Sequence, residues 1–171
     1  ARLLGNTHAL VWTLLGRSAA ALRSGDVELA LATAQESFDL SGEAESSFHS
    51  AEAAADLAAA LLETGRPEPA VELLLESAGG GELVLIGGSP RARYLEVLTR
   101  CWLALDRPED AARAAAEAES TASSMGNLRL AHTMADRAAA AVAFASGDIA
   151  AAADRALASA AAGDDVGVPV E

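Results

Sequence analysis

A chain of 171 residues that is 51% hydrophobic, only 4% aromatic and of net charge −13 is one acidic domain's worth of polypeptide, its apolar content carried by alanine and leucine. Such a mixture suits closely packed helices and disfavours a β-rich core. The acidity excludes direct nucleic-acid binding by this segment, because its surface repels phosphate backbones.

The first predicted helix covers residues 3–24. Leu3, Leu4, Leu10, Val11, Trp12, Leu14, Leu15 and Leu22 spread around much of its circumference. A helix that apolar expects cover on more than one side, from a preceding helix or from a second chain, so a homodimer through this helix is one expectation. Gly25 stops it, and Asp26 is placed to cap the next helix, about 27–40, whose inner face is Leu29, Ala30, Ala34 and Phe38. Ser41-Gly42-Glu43 is a turn. A third helix covers about 44–64, with Phe48, Ala51, Ala55, Ala58, Leu61 and Leu62 on one half and Glu45, His49, Glu52, Asp56 and Glu63 on the other.

Pro67 sits at the first position of a fourth helix, ending near Ser77. The irregular segment 79–89 follows, in which glycines bracket Leu83-Val84-Leu85-Ile86; it is expected to tuck Leu83 and Leu85 over helix ends. Ser89-Pro90 reads as a cap followed by a first-turn proline. Helix five covers about 90–105, with Tyr94, Leu95, Val97, Leu98, Trp102 and Leu105. Helix six runs from Pro108 to about Ser124, helix seven covers about 128–146, and helix eight runs over 149–162, with Asp148 as its cap and Gly163 as its end.

One phrase punctuates these helices four times, anchored at Gly25, Gly65, Asp106 and Gly147, in steps of 40, 41 and 41 residues. An alanine follows each anchor by five: Ala30, Ala70, Ala111 and Ala152. Seven before it stand Ser18, Ala58, Thr99 and Ala140; twelve after it stand Ser37, Ser77, Ala118 and Ser159; all are small. Three before it stand the large Leu22, Leu62, Leu103 and Phe144. A fixed period in this range marks a helical solenoid.

The pattern resembles the tetratricopeptide repeat, whose turn glycine and alanine have the same five-residue offset, over about residues 9–162. It departs from that repeat in its longer period and in lacking the closing proline. The resemblance implies an all-α, right-handed superhelix of antiparallel helix pairs, about eight helices in four repeats, forming a single domain over 1–171. A narrower resemblance rests on Leu62-Glu63-Thr64-Gly65-Arg66-Pro67-Glu68-Pro69-Ala70, on the glycine loop with Arg91-Ala92-Arg93 after it, and on Leu103-Ala104-Leu105-Asp106-Arg107-Pro108-Glu109-Asp110-Ala111. These look like the helical-repeat region of large actinobacterial LuxR-type, ATP-binding transcriptional regulators. That resemblance implies an interaction and sensor arm, cut from a longer chain, for a protein, peptide or small effector. The sequence holds no G-x-x-x-x-G-K-[ST] loop, so no nucleotide cofactor is expected.

Little in the chain points to catalysis, and no enzyme activity is expected. Glu45, His49, Glu52 and Asp56 share a helical face, but a solvated acidic stripe explains the spacing better than a metal site. His8 and His132 have no ligand pattern beside them. Cys101, the one cysteine, excludes an internal disulfide, fits a reducing, cytoplasmic setting and reads as a buried structural thiol. No apolar run reaches the roughly 18 residues that span a bilayer, so no membrane partner is expected. In tetratricopeptide-like stacks the first helix of each pair lines the concave face. Mapped from the anchors, that face holds Trp12, Leu15, Glu52, Arg93, Glu96, Arg100 and Arg137, and its arginines suit an acidic peptide or carboxylate. The alternative is a self-associating scaffold or a stand-alone adaptor.

Overall fold

Glycine, aspartate and proline punctuation divides the chain into α1 (Thr7–Ser24), α2 (Val27–Ser41), α3 (Ser47–Glu63), α4 (Pro67–Ala78), α5 (Ser89–Ala104), α6 (Pro108–Ser124), α7 (Arg129–Ala145) and α8 (Ile149–Asp165). This is a computed structural model, and it describes residues 7–42, 47–81 and 83–165. Among the described residues there are eight helices and no strand. The predicted bounds hold to within a few residues, apart from positions 3–6 and 44–46, which lie outside the described residues.

The four anchors share one conformation. Gly25, Gly65, Asp106 and Gly147 have φ of 76°, 72°, 55° and 85°. At each, the anchor N–H donates to the carbonyl three residues back, and the next N–H donates to the carbonyl five before it: Asp26 to Ala21, Arg66 to Leu61, Arg107 to Trp102, Asp148 to Ala143. That left-handed closure satisfies the last carbonyls of the outgoing helix. The residue after the anchor then opens the next helix. Asp26 and Asp148 cap through Oδ1, accepting from Leu29 N and Ala151 N at 3.1 Å each. Arg66 and Arg107 make no side-chain cap and are followed by proline. The alanine five after the anchor lies where the two helices cross; Ala30, Ala70 and Ala111 are fully buried and Ala152 nearly so. At the large position three before it, Leu22, Leu62 and Leu103 are half-buried and Phe144 is 69% exposed, so these residues border the core without filling it.

The chain divides at Leu85/Ile86 into two compact units, and within each unit consecutive helices pack on one another as an α-solenoid of helix pairs requires. In the first unit α3 packs on α1, α2 and α4. Its interior joins Ala21, Ala30, Ala34, Leu57 and Ala60, with Leu29 and Phe38 against them, and a neighbouring cluster of Val11, Leu15 and Ala53. Cover on three sides buries every residue from Ala53 to Ala60, including Asp56 at 1% exposure. The expected solvated stripe on this helix is therefore interrupted at Asp56. In the second unit α7 packs on α5, α6 and α8.

Three local expectations are corrected. Leu83 (φ 48°) and Ile86 are buried, while Val84 and Leu85 are about two-thirds exposed, because the turn closed by Leu85 N donating to Ala78 O swings Leu85 outward. Gly88, at φ 66°, takes the cap position of α5, so Ser89 falls inside the helix. Gly163 does not end α8, which continues to Asp165; one interior glycine costs a helix only about 1 kcal/mol.

Candidate functional site

Ten residues before the anchor, the first helices of successive pairs carry Leu15, Ala55, Glu96 and Arg137. In the first unit that register is apolar and buried: Leu15 is 6% exposed and Ala55 1%. Leu15 therefore belongs to the core and lines no groove. In the second unit the same register holds an acid on α5 and a base on α7. Because α5 and α7 pack directly, equivalent positions meet, and Arg137 Nε lies 3.4 Å from Glu96 Oε1. One turn further along α5, Arg100 Nη1 lies 3.8 Å from the same oxygen.

Glu96 is only 3% exposed, while the arginine side chains keep 30% and 35% of their surface. Both approaches are long for charge-assisted hydrogen bonds, and Glu96 Oε1 accepts none. At Oε1 the two guanidiniums face the carboxylate as ion pairs without a hydrogen bond. Arg137 makes no hydrogen bond among the described residues, so its donors are not consumed by Glu96.

These three side chains line a cleft of about 230 Å³ whose remaining walls are Ala140, Ala141, Ala156 and Ser159. The Ser159 hydroxyl donates to Thr133 O at 3.2 Å, which ties α8 to α7 and commits that proton. Arg155 secures the same wall, pairing with Asp136 of α7 at 2.8 Å and Glu119 of α6 at 2.7 Å. The hydrogen bond that Arg155 donates to Asp136 Oδ1 raises the pKa of Arg155 above its ordinary value. Arg91 of α5 pairs with Glu117 of α6 and donates to Ile86 O at 3.2 Å, which fixes Ile86 within the same unit.

Of the expected groove residues, Glu96, Arg100 and Arg137 share this cleft. Arg93 is half-buried one turn earlier on α5, outside the lining. In the other unit Trp12 is 51% exposed and Glu52 half-buried. The alanines and the serine of the cleft escaped the sequence reading. Ala140 and Ser159 stand at two of its small positions, which were assigned to packing alone. A second cluster was also missed. His49 meets His8 edge-on at 4.8 Å and Trp12 at 5.3 Å between ring centroids. Both histidines lie 16–17 residues before an anchor, and that near-equivalence is the signal that was available. Partial burial, then the neighbouring His8, lowers the pKa of His49.

Among the described residues no group of three or more His, Cys, Asp or Glu is placed to hold a metal ion; Glu45 lies outside them. Cys101 is fully buried, and burial pushes its thiol up to about 12, with Glu96 adding to the shift and Arg100 opposing it. Such a thiol is a poor nucleophile. Among the described residues no helix is long and apolar enough to cross a membrane. No family model, curated protein or solved structure matches the chain.

Proposed function

We propose that the chain is a non-catalytic interaction module that recognises an anionic partner at the Glu96–Arg100–Arg137 cleft. The observation that carries this reading is the repeat register. A position satisfied by leucine and alanine in one unit is occupied in the other by an ion pair whose acid is buried. Buried ion pairs contribute little net stability over apolar residues of similar size, so packing alone gives no reason for the exchange. Two guanidiniums beside open space do give one, since arginine forks match carboxylates and other oxyanions. The cleft pairs no nucleophile with a base.

Occupancy would bias the packing of α5, α7 and α8, which is how a helical array passes a binding event onward without chemistry. The reading of the array as the sensor arm of a cytoplasmic bacterial LuxR-type regulator rests on the sequence resemblance at 62–70 and 103–111. The test is Glu96→Leu combined with Arg137→Ala, which copies the Leu15/Ala55 pair. Stability within about 1–2 kcal/mol of the parent, together with loss of anion-induced NMR shifts in α5, α7 and α8, is expected. Shifts that persist in the double variant would remove the cleft from the function.

Self-association is the second reading. The apolar residues Val11, Leu14 and Leu15 of α1 are buried, whereas Phe144, Ile149 and Leu157 of α7 and α8 are 59–69% exposed. A mass in solution that stays monomeric at millimolar concentration counts against it.

A further inference from the structure

We infer that the cleft takes the carboxylate of a short aliphatic acid, with Arg137 as its main contact; this rests on the cleft being the recognition site. Three observations set the chemistry. First, Glu96 is shielded from solvent and stands 3.4 Å from Arg137 and 3.8 Å from Arg100. A fixed negative charge at that distance opposes a dianion such as phosphate and tolerates a monoanion. It also orients Arg137 by its Nε edge, which makes Glu96 a positioning residue. Second, Arg137 lines the cleft and makes no hydrogen bond among the described residues, so a planar carboxylate can take its fork. Third, the half-buried Ala140 and Ala141 and the exposed Ala156 also line the cleft, and the Ser159 proton is committed to Thr133 O. Away from the two guanidiniums the walls reward alkyl groups and offer no side-chain donor to a polar tail. A volume of about 230 Å³ leaves room for a carboxylate with a short alkyl chain.

The experiment is calorimetric titration of the full chain at constant ionic strength with acetate, butyrate, pentanoate, pentanamide, inorganic phosphate and a C-terminally amidated acidic peptide. Affinity is expected to rise about fourfold per methylene from acetate to pentanoate, the value of a buried CH₂. Pentanamide and phosphate are expected to bind at least tenfold more weakly than pentanoate. Arg137→Gln is expected to cost at least tenfold, with Arg137→Lys recovering part. Ala156→Leu, which fills the cleft, is expected to abolish the dependence on chain length. Affinity that is flat with chain length, or pentanamide equal to pentanoate, overturns the inference whether or not the variants fold. Tighter binding of phosphate or of the peptide, lost in the Glu96→Leu/Arg137→Ala double variant, also overturns it while upholding the interaction reading. No binding of any anion overturns both.

Discussion

Asp106 is the one anchor that is not glycine, and it adopts φ 55° with no side-chain hydrogen bond among the described residues. Aspartate tolerates the left-handed region better than most residues, but glycine occupies it without a Cβ penalty. Asp106→Gly is therefore expected to raise the unfolding free energy by about 0.5–1 kcal/mol, read from the urea midpoint; a decrease would mean that the carboxylate does something at the turn. The reverse change separates backbone strain from collision. A Cβ at Gly25 (φ 76°) meets nothing within 4 Å, so Gly25→Ala costs only the conformational term, about 1 kcal/mol. A Cβ at Gly79 (φ 79°) falls 2.8 Å from Leu85 Cγ and 2.9 Å from Val84 Cγ2. Gly79→Ala carries the same backbone cost and must also displace the tip of the irregular segment. It is expected to be the more destabilising of the two, and equal losses would show that the tip yields freely.

The elements were legible where their signals are local. A glycine or aspartate at the helix end, an acid after it and proline at the first helical position act within one turn, so the ends of α2, α4 and α6 could be read directly. The burial of Asp56 was not legible, because it depends on α3 being covered by α1, α2 and α4 together. Leu85 and Ile86 were exchanged for a related reason: Leu83 takes a left-handed φ that no residue pattern announces, and it reverses the order of inward side chains after it. The cleft was half legible. Helix periodicity put Glu96 and Arg100 on one face, and the repeat register added Arg137, but the α8 wall needs the crossing of α7 and α8. The His8–Trp12–His49 contact between α1 and α3 has a consequence for stability. Folding lowers the pKa of His49 from its ordinary 6.5, so the unfolded chain holds more protons as pH falls below that value. This contribution to stability is constant above about pH 6.5 and is lost as pH falls through the folded pKa. Urea midpoints of the parent and of His49→Gln are expected to differ in slope over pH 5–6.5, with the variant flatter. Parallel slopes would refute the assignment.

At the scale of the whole molecule, charge is distributed unevenly. None of the 12 cationic side chains is a lysine, and eight of the arginines fall at 86–171; residues 1–85 hold four arginines against thirteen acids. Self-repulsion in an acidic array opposes folding and is screened by salt, whose Debye length falls from about 30 Å at 0.01 M to about 8 Å at 0.15 M. The same screening weakens attraction of a carboxylate to Arg137 and Arg100. Salt should therefore move two properties in opposite directions, raising the urea midpoint and lowering the affinity for pentanoate. The units can be read separately, because Trp12 lies in the first and Trp102, stacked 4.1 Å beneath the Arg107 guanidinium, in the second. In Trp102→Phe the remaining fluorescence reports the more acidic unit; in Trp12→Phe it reports the arginine-rich one. The Trp12 transition is expected to gain more from salt than the Trp102 transition. Equal gains would mean that the two units unfold as one, and a larger gain at Trp102 would mean that the ion pairs of the second unit hold repulsions that its arginines leave uncompensated.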